Sequence, residues 1–218
     1  MGEARDGART ARRDATRERV LDAAIGVFAE RGVFGGSVED ICERAGFTRG
    51  AFYSNFTDKA DLLEALIARE HAHLLAQLDE SAALAAEAAR SATAPADLAP
   101  VLAAIVDRIL AAVPGDRQLS MVQTELEIHA IRQPETSGSF RKADARFRAG
   151  IAEFIERGLA LQGRELVVPA AFVADAAVAM VARSVRRALL AGGEADPDEM
   201  ARAVLPAFIL GVSRPRVV

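Results

Sequence analysis

Cysteine is almost absent from this chain, since Cys42 is the only one in 218 residues. A single cysteine excludes an intramolecular disulfide, and we expect a reducing, cytoplasmic setting.

Long apolar runs are also missing. The best stretch, residues 166–182, contains Pro169 and Asp175 and is shorter than a membrane-spanning helix. The charged residues 1–19 lack the apolar core of a signal peptide. We therefore expect no contact with a membrane.

Patterns typical of enzymes are missing too. The sequence contains no nucleophile elbow, no glycine-rich phosphate loop and no His-Glu zinc pattern. His71 and His73 lie two positions apart, about 200° around a helix, so they cannot bind one metal ion on one face. The densest titratable cluster, Glu125, Glu127 and His129, has no identifiable partner elsewhere in the chain. We expect no enzyme activity, no cofactor and no metal site.

Hydrophobic residues make up 51% of the chain, enough to form a sizeable core. The net charge of −4 is unevenly distributed. Residues 1–59 contain ten basic and ten acidic side chains, whereas residues 60–218 contain seventeen and twenty-one. Any surface for a polyanion is therefore local, at the N-terminal end of the chain.

Residues 37–63 have the pattern of short helices joined by tight turns. Ser37 followed by Asp40 is typical of a helix start, because both side chains can bond free backbone amides. Gly46 is the residue type that ends a helix in a left-handed turn, and Thr48 is a new N-cap two positions later. Phe52 is expected in the core, together with Phe56. Two short helices around a glycine turn predict a helix-turn-helix, whose second helix enters the DNA major groove.

The residues of the second helix suit that role. Arg49 can form two parallel bonds to guanine, and Thr48 can bond a base edge or a phosphate. Gly50 allows the backbone to approach the duplex closely, while Tyr53 and Asn55 suit phosphate oxygens. Lys59 at the start of the next helix predicts a phosphate clamp, and Arg44 is equally consistent with a phosphate contact or a surface charge. The candidate DNA-binding residues are Ser37, Arg44, Thr48, Arg49, Gly50, Tyr53, Asn55 and Lys59.

This segment resembles the DNA-binding domain of the TetR-type family of one-component transcriptional regulators. The similarity covers roughly residues 16–66 and rests on Val20 to Ala24, Phe28, Gly32, Ser37 to Ile41, Ala45 to Phe47, Phe52, Tyr53, Phe56, Lys59, Leu62 and Leu63. Asn55 departs from the pattern, because many relatives have a histidine there. The resemblance implies a homodimeric transcriptional repressor that binds a palindromic operator in double-stranded DNA. It implies as well that a small molecule, sensed by the C-terminal helices, releases the protein from the operator.

The remaining periodicity predicts an all-α fold of about nine helices, with no strand. We expect a disordered arm over residues 1–14, a three-helix DNA-binding domain over residues 15–60, and a helical effector-binding and dimerisation domain over residues 61–218. A helix from Asp58 is expected to fray beyond Ser81, and a further one is predicted over residues 98–113. The alternative to a regulator is an all-helical interaction module that does not bind an operator.

Two further sets of residues follow from the C-terminal half. A helix from Ala170 that is apolar on nearly every side needs cover on every side, which predicts a four-helix dimer interface with the last helix. Its candidate residues are Phe172, Val178, Val181, Val185, Leu189, Leu205 and Phe208. A small, largely apolar ligand is predicted among residues 98–161, although each aromatic there is individually consistent with core. The candidates are Ile109, Met121, Gln123, Glu125, His129, Phe140, Phe147 and Phe154.

Overall fold

The computed structural model of this chain describes residues 2–91, 106–107, 117–135, 137–192 and 199–216. Most of these residues are helical. The helices are α1 (Gly2–Arg31), α2 (Val38–Ala45), α3 (Arg49–Tyr53), α4 (Lys59–Ser91), α5 (Arg117–Arg132), α6 (Gly138–Leu161), α7 (Ala170–Leu190) and α8 (Glu199–Gly211). The predicted all-α class is confirmed, with eight helices in these ranges. The helix predicted over residues 98–113 lies outside the described residues except at positions 106 and 107, which are helical.

Two short strands were not predicted from the sequence. Strand β1 (Arg164–Leu166) pairs antiparallel with β2 (Ser213–Pro215), and Glu165 lies opposite Arg214. The Arg164 side chain strengthens the pairing, because its guanidinium donates to the Ser213 carbonyl oxygen at 2.7 Å. Each strand has only three residues, too few for a recognisable alternation of polar and apolar side chains.

Two helices are longer than the sequence suggests. Helix α1 begins at Gly2, so the segment expected to be a disordered arm is helical in the structure. Helix α4 continues to Ser91, through the alanine-rich stretch expected to fray. Both extensions are rich in alanine and contain arginine and glutamate, which are strong helix formers. The helix propensity of these residues therefore accounts for the helical conformation of both segments, although neither has an apolar stripe.

The first of two compact units contains residues Met1–Arg69 and Asp116–Ala143. Its core includes the predicted inner face of α1 and both predicted core phenylalanines, Phe52 and Phe56. Cys42 is buried in the same core, as a small hydrophobe would be, and burial raises the pKa of its thiol. Helix α5 contributes Val122 and Leu126. A helix far along the sequence is therefore part of the unit that contains the helix-turn-helix.

The second unit contains residues Glu70–Gly115 and Asp144–Val218. Its core is built from the C-terminal part of α6 and the inner faces of α7 and α8. Leu78 from α4 packs in the same cluster. At Gly150 the chain comes close to α4, since a Cβ there would lie 2.8 Å from a Leu75 methyl carbon.

None of the described helices is both long and apolar enough to cross a membrane. Within the same residues, no three His, Cys, Asp or Glu side chains lie together in a way that could bind a metal ion.

Candidate nucleic-acid interface

Side chains and a glycine fix both ends of α2. The Ser37 Oγ accepts from the Asp40 backbone N–H at 3.1 Å, and the Asp40 carboxylate accepts from the Ser37 N–H at 3.0 Å. This is the predicted reciprocal cap. The Ser37 hydroxyl also donates to the Asp40 carboxylate at 2.7 Å, and this bond and the one from the Ser37 N–H lower the pKa of the carboxyl. Arg31, at 2.6 Å, lowers it further. At the other end Gly46 is left-handed with φ of 70°. The first and last residues of α2 are thus determined by its own sequence.

Helix α3 has one buried and one exposed side. Thr48 is its N-cap, with the side chain accepting from the Ala51 N–H at 3.2 Å. Phe52 is fully buried and packs against Phe56, with ring centroids 5.5 Å apart. Tyr53 is 49% exposed. Thr48, Arg49 and Gly50 are exposed as well, so α3 presents a polar surface to solvent.

Arg49, the predicted base-reading residue, has a partner within the protein. Its side chain is 61% exposed and forms an ion pair with Glu39 at 2.7 Å. The Tyr53 hydroxyl at 3.5 Å and the Glu39 charge raise the pKa of the guanidinium. An ion pair between exposed side chains is worth about 0–1 kcal/mol, so a guanine could readily displace Glu39. The sequence analysis did not identify Glu39, which lies in the first turn of α2.

In four other predicted DNA-binding residues, at least one polar group of the side chain is bonded within the protein. The Ser37 hydroxyl is part of the N-cap of α2 described above. The Arg44 guanidinium bonds Glu30 at 2.5 Å. The Asn55 amide donates to the Ala51 carbonyl at 2.8 Å. Lys59 donates to the carbonyls of Val33 and Gly36, at 3.1 and 3.0 Å. The structure therefore brings Thr48, Arg49, Gly50 and Tyr53 together on one exposed helix and assigns the other side chains internal contacts.

Two arginines of α1 brace the motif from behind, and the sequence analysis did not single them out. Arg19 lies over the Phe47 ring at 4.5 Å and donates to the Ala45 carbonyl at 3.0 Å. Arg17 lies over the Phe56 ring at 4.7 Å. A guanidinium on an aromatic face is stabilising and also orients the charge. The excess of arginine over acids in residues 1–19 was the available signal.

The predicted ligand-binding residues are divided between the two units. Met121, Gln123, Glu125, His129 and Phe140 belong to the first unit, and Phe147 and Phe154 belong to the buried core of the second. Ile109 lies outside the described residues. For Phe147 and Phe154 the structure supports the alternative that they are core, because they are only 8% and 6% exposed.

Helix α5 instead faces the connection between α1 and α2. The Glu125 carboxylate accepts from the Val33 N–H at 2.5 Å, and the His129 ring lies 4.5 Å from the Phe34 ring. A recess of about 580 Å³ opens between the two elements. It is lined by Phe34, Glu125, Ile128, His129, Arg132 and Gln133.

Of the predicted dimer residues, Val185 and Leu205 are buried within the chain itself, at 8% and 2% exposure. Leu205 belongs to the core of the second unit, and neither side chain offers appreciable surface to a partner. Phe172 is 67% exposed, and Leu190 beyond the predicted set is 78% exposed. Val178, Val181, Leu189 and Phe208 are half-buried. An apolar surface thus remains on α7, but it is narrower than predicted.

A braced helix-turn-helix with an exposed second helix, in a chain whose described residues are mostly helical, places this molecule in the class of helix-turn-helix proteins. Residues 20–66 match the family described as bacterial regulatory proteins, tetR family. The chain is 48% identical over 54 residues to the HTH-type transcriptional repressor BepR of Brucella suis, which is 25% of this chain and 26% of that protein. The match spans about a quarter of the length of such curated relatives.

Solved structures extend the similarity of fold over most of the chain. The fatty acid degradation regulator FadR of Bacillus halodurans aligns with a TM-score of 0.68 and 19% identity, over 90% of this chain and 95% of that one. FadR of Bacillus subtilis, solved in complex with stearoyl-CoA, aligns with a TM-score of 0.66 and 18% identity, over 89% and 98%. The resemblance to TetR-type regulators is confirmed, by sequence over residues 20–66 and by fold over about nine tenths of the chain.

Proposed function

We propose that this protein is a DNA-binding transcriptional regulator that acts in the cytoplasm as a repressor. The exposed surface of α3 is the observation that supports DNA binding most strongly. Thr48, Arg49 and Tyr53 offer two hydroxyls and a guanidinium from one helix, whose other side is anchored by a fully buried Phe52. Such donors on a rigid helix suit base edges and phosphates in a major groove.

The electrostatics of the first unit fit this role. The unit is not strongly basic, so attraction to the phosphate backbone is modest and specific contacts must supply more of the affinity. Arg49 is suited to such a contact, because its pairing with Glu39 is exposed and exchangeable. The relative named as a repressor, BepR, supports repression over activation.

A homodimer and a palindromic operator belong to the same proposal. Two copies related by a two-fold axis would place two α3 helices about 34–36 Å apart, one turn of DNA. The exposed Phe172 and the half-buried Val178 and Val181 on α7 are apolar surface that a second copy would cover. The predicted interface is therefore retained without Val185 and Leu205.

We also propose that a small, largely apolar ligand releases the operator. The bound stearoyl-CoA in the structure of Bacillus subtilis FadR supports this by analogy of fold, since that ligand has a long apolar chain. The ligand would favour a conformation in which the two recognition helices no longer match the operator half-sites.

Binding to the duplex that flanks the protein's own gene tests the proposal. Fluorescence anisotropy should show saturable binding that exceeds binding to a scrambled duplex of equal length and composition. Arg49→Ala should weaken the preference, while Arg146→Ala, which removes an exposed arginine of α6 in the second unit, should not. Equal affinity for the flanking and scrambled duplexes would favour the alternative, an interaction module without an operator there.

A further inference from the structure

The connection between α1 and α2, residues 32–36, is held by charged side chains from two distant helices. The Glu125 carboxylate of α5 accepts from the Val33 N–H at 2.5 Å. The Lys59 ammonium of α4 donates to the Val33 carbonyl at 3.1 Å and to the Gly36 carbonyl at 3.0 Å. Both backbone groups of Val33 are therefore bonded to side chains of opposite charge. We call this arrangement of Glu125 and Lys59 the loop clamp.

The loop is built to fit against these partners. Val33 is fully buried in the core of the first unit. Gly32 has φ of 76°, and a Cβ there would lie 3.2 Å from a Glu125 carboxylate oxygen. At Gly36 a Cβ would lie 2.8 Å from a Val27 methyl carbon. The Phe34 ring lies 4.5 Å from the His129 ring of α5. A side chain at Gly36 would force Val27 or the loop to shift, and a side chain at Gly32 would strain its left-handed backbone.

The position of this loop sets the start of the DNA-binding motif. Gly36 is followed directly by Ser37, the N-cap of α2. The Ser37 N–H is bonded to Asp40 at 3.0 Å, so the last residue of the loop and the first turn of α2 are rigidly joined. A shift of Val33 would be transmitted through three residues to α2, and then to α3 through their shared core residues Ile41 and Phe52.

The loop clamp joins the motif to a helix outside the segment that matches the tetR family. That segment ends at residue 66, and Glu125 lies in α5. Hydrogen bonds to a carboxylate are stronger than neutral ones, and a backbone N–H that loses such a partner while buried is costly. The bond is therefore strong enough to make the loop position depend on α5.

We propose that Glu125 is a positioning residue for DNA binding, acting on α2 and α3 through residues 32–36, with Lys59 as the second half of the clamp. This rests on the proposed function, because its readout is affinity for an operator. Glu125 touches no DNA in this role. Lys59 is likewise assigned to the loop carbonyls instead of to a phosphate.

The test compares Glu125→Ala and Glu125→Gln with Glu127→Ala, a control that removes an exposed carboxylate from the same helix. Affinity for the flanking duplex is measured at a temperature where thermal melts show every variant folded. Glu125→Ala should weaken binding about tenfold or more, with an unchanged salt slope, because no phosphate contact is lost. Glu125→Gln should recover part of the loss, since its amide oxygen can still accept from Val33.

Hydrogen exchange at the Val33 amide provides a readout that does not depend on DNA. Exchange should be faster in Glu125→Ala than in the wild type and the Glu127→Ala control. If the alanine variant fails to fold, the same measurement on Glu125→Gln tests the loop clamp. Lys59→Ala should also weaken binding without changing the salt slope. A salt slope reduced by about 0.9 would show instead that Lys59 contacts a phosphate.

The possible failures are distinguishable. A wild type that binds the flanking and scrambled duplexes equally contradicts the proposed function. A wild type that prefers the flanking duplex, with Glu125→Ala binding it equally well, contradicts the loop clamp alone. Unchanged Val33 exchange in Glu125→Ala would also contradict the clamp, whatever the DNA result.

Discussion

Arg49 is the residue on which sequence preference should depend most. It is exposed on α3, and its pairing with Glu39 is weak enough to be exchanged for a base. We predict that Arg49→Ala reduces discrimination between the operator and single-base variants by about 1–3 kcal/mol, because a bidentate guanine contact is lost. Titrations of the operator and of a single-base variant, with the wild type and with Arg49→Ala, measure this discrimination. If the variant discriminates as well as the wild type, Arg49 does not read a base.

Asp40 gives the fold a defined response to acid. Its bonds from Ser37, with Arg31 nearby, lower the pKa of the carboxyl below its ordinary value of 3.8. A carboxyl whose pKa is lowered on folding stabilises the protein above the unfolded pKa, and the stabilisation is lost as the pH falls through the folded value. The contribution of Asp40 should therefore be complete at neutral pH and decline below about pH 4.

Urea unfolding of wild type and Asp40→Asn at a series of pH values measures that decline. We predict that the difference in unfolding free energy between them narrows from pH 5 toward pH 2. In a Ser37→Ala background the narrowing should shrink, because the main cause of the lowered pKa is removed. A difference that stays constant over this range would show that the Asp40 carboxyl titrates alike in the folded and unfolded chain.

At the scale of the elements, the turn between α2 and α3 depends on Gly46. Its φ of 70° is left-handed, and a Cβ would meet only an Arg19 nitrogen at 3.8 Å, so the cost of a side chain is conformational. We predict that Gly46→Ala destabilises the protein by about 1 kcal/mol. The matched control is Gly158→Ala in α6, where a Cβ meets nothing within 4 Å; it should stabilise by about 0.5–1 kcal/mol. Equal effects of both substitutions in urea unfolding would contradict this explanation.

The caps of α2 and α3 could be predicted from the sequence because each depends on neighbouring residues. Ser37, Asp40, Gly46 and Thr48 perform in the structure the local roles that their residue types indicate. The β1–β2 pairing could not be predicted, because each strand has three residues and its partner lies 49 positions away. Lys59 illustrates the same limit within the site. Its place at a helix start indicates a phosphate contact, but its two loop carbonyls lie 26 and 23 positions earlier.

The loop clamp was inaccessible to sequence reasoning for the same reason. Glu125 and His129 form an i, i+4 pair on α5, a spacing typical of surface pairs and of ligand contacts alike. Their actual neighbours, Val33 and Phe34, are 92 and 95 positions away, a separation that helical periodicity does not address. Likewise, only folding shows that Val185 is buried and that Leu205 belongs to the core of the second unit.

At the scale of the whole molecule, the proposed homodimer should depend on the exposed apolar surface of α7. Phe172→Glu places a charge at a position 67% exposed, so it should leave the chain folded and yield monomers. The control is Ile131→Glu on α5, a position 80% exposed in the first unit. Sedimentation at micromolar concentration measures both, and a wild type that is already monomeric would contradict the dimer.

The proposed ligand makes a prediction that follows from linkage. If a ligand lowers operator affinity tenfold, it prefers the released state by about 1.4 kcal/mol, and operator DNA must weaken ligand binding by the same factor. Calorimetry with a long-chain acyl-CoA, with and without saturating operator, measures this. Identical affinities in the two titrations would show that the acyl-CoA is not the inducer, however tightly it binds.

Selection of bound duplexes from a random-sequence pool tests the central claim most directly, because it requires no knowledge of the operator. The account predicts enrichment of an inverted repeat whose half-sites are centred about one helical turn apart. With Arg49→Ala, enrichment at the base pair that Arg49 contacts should weaken in the same selection. A wild-type selection that returns the composition of the starting pool, at low salt and with the protein shown to be folded, would contradict a sequence-specific DNA-binding function.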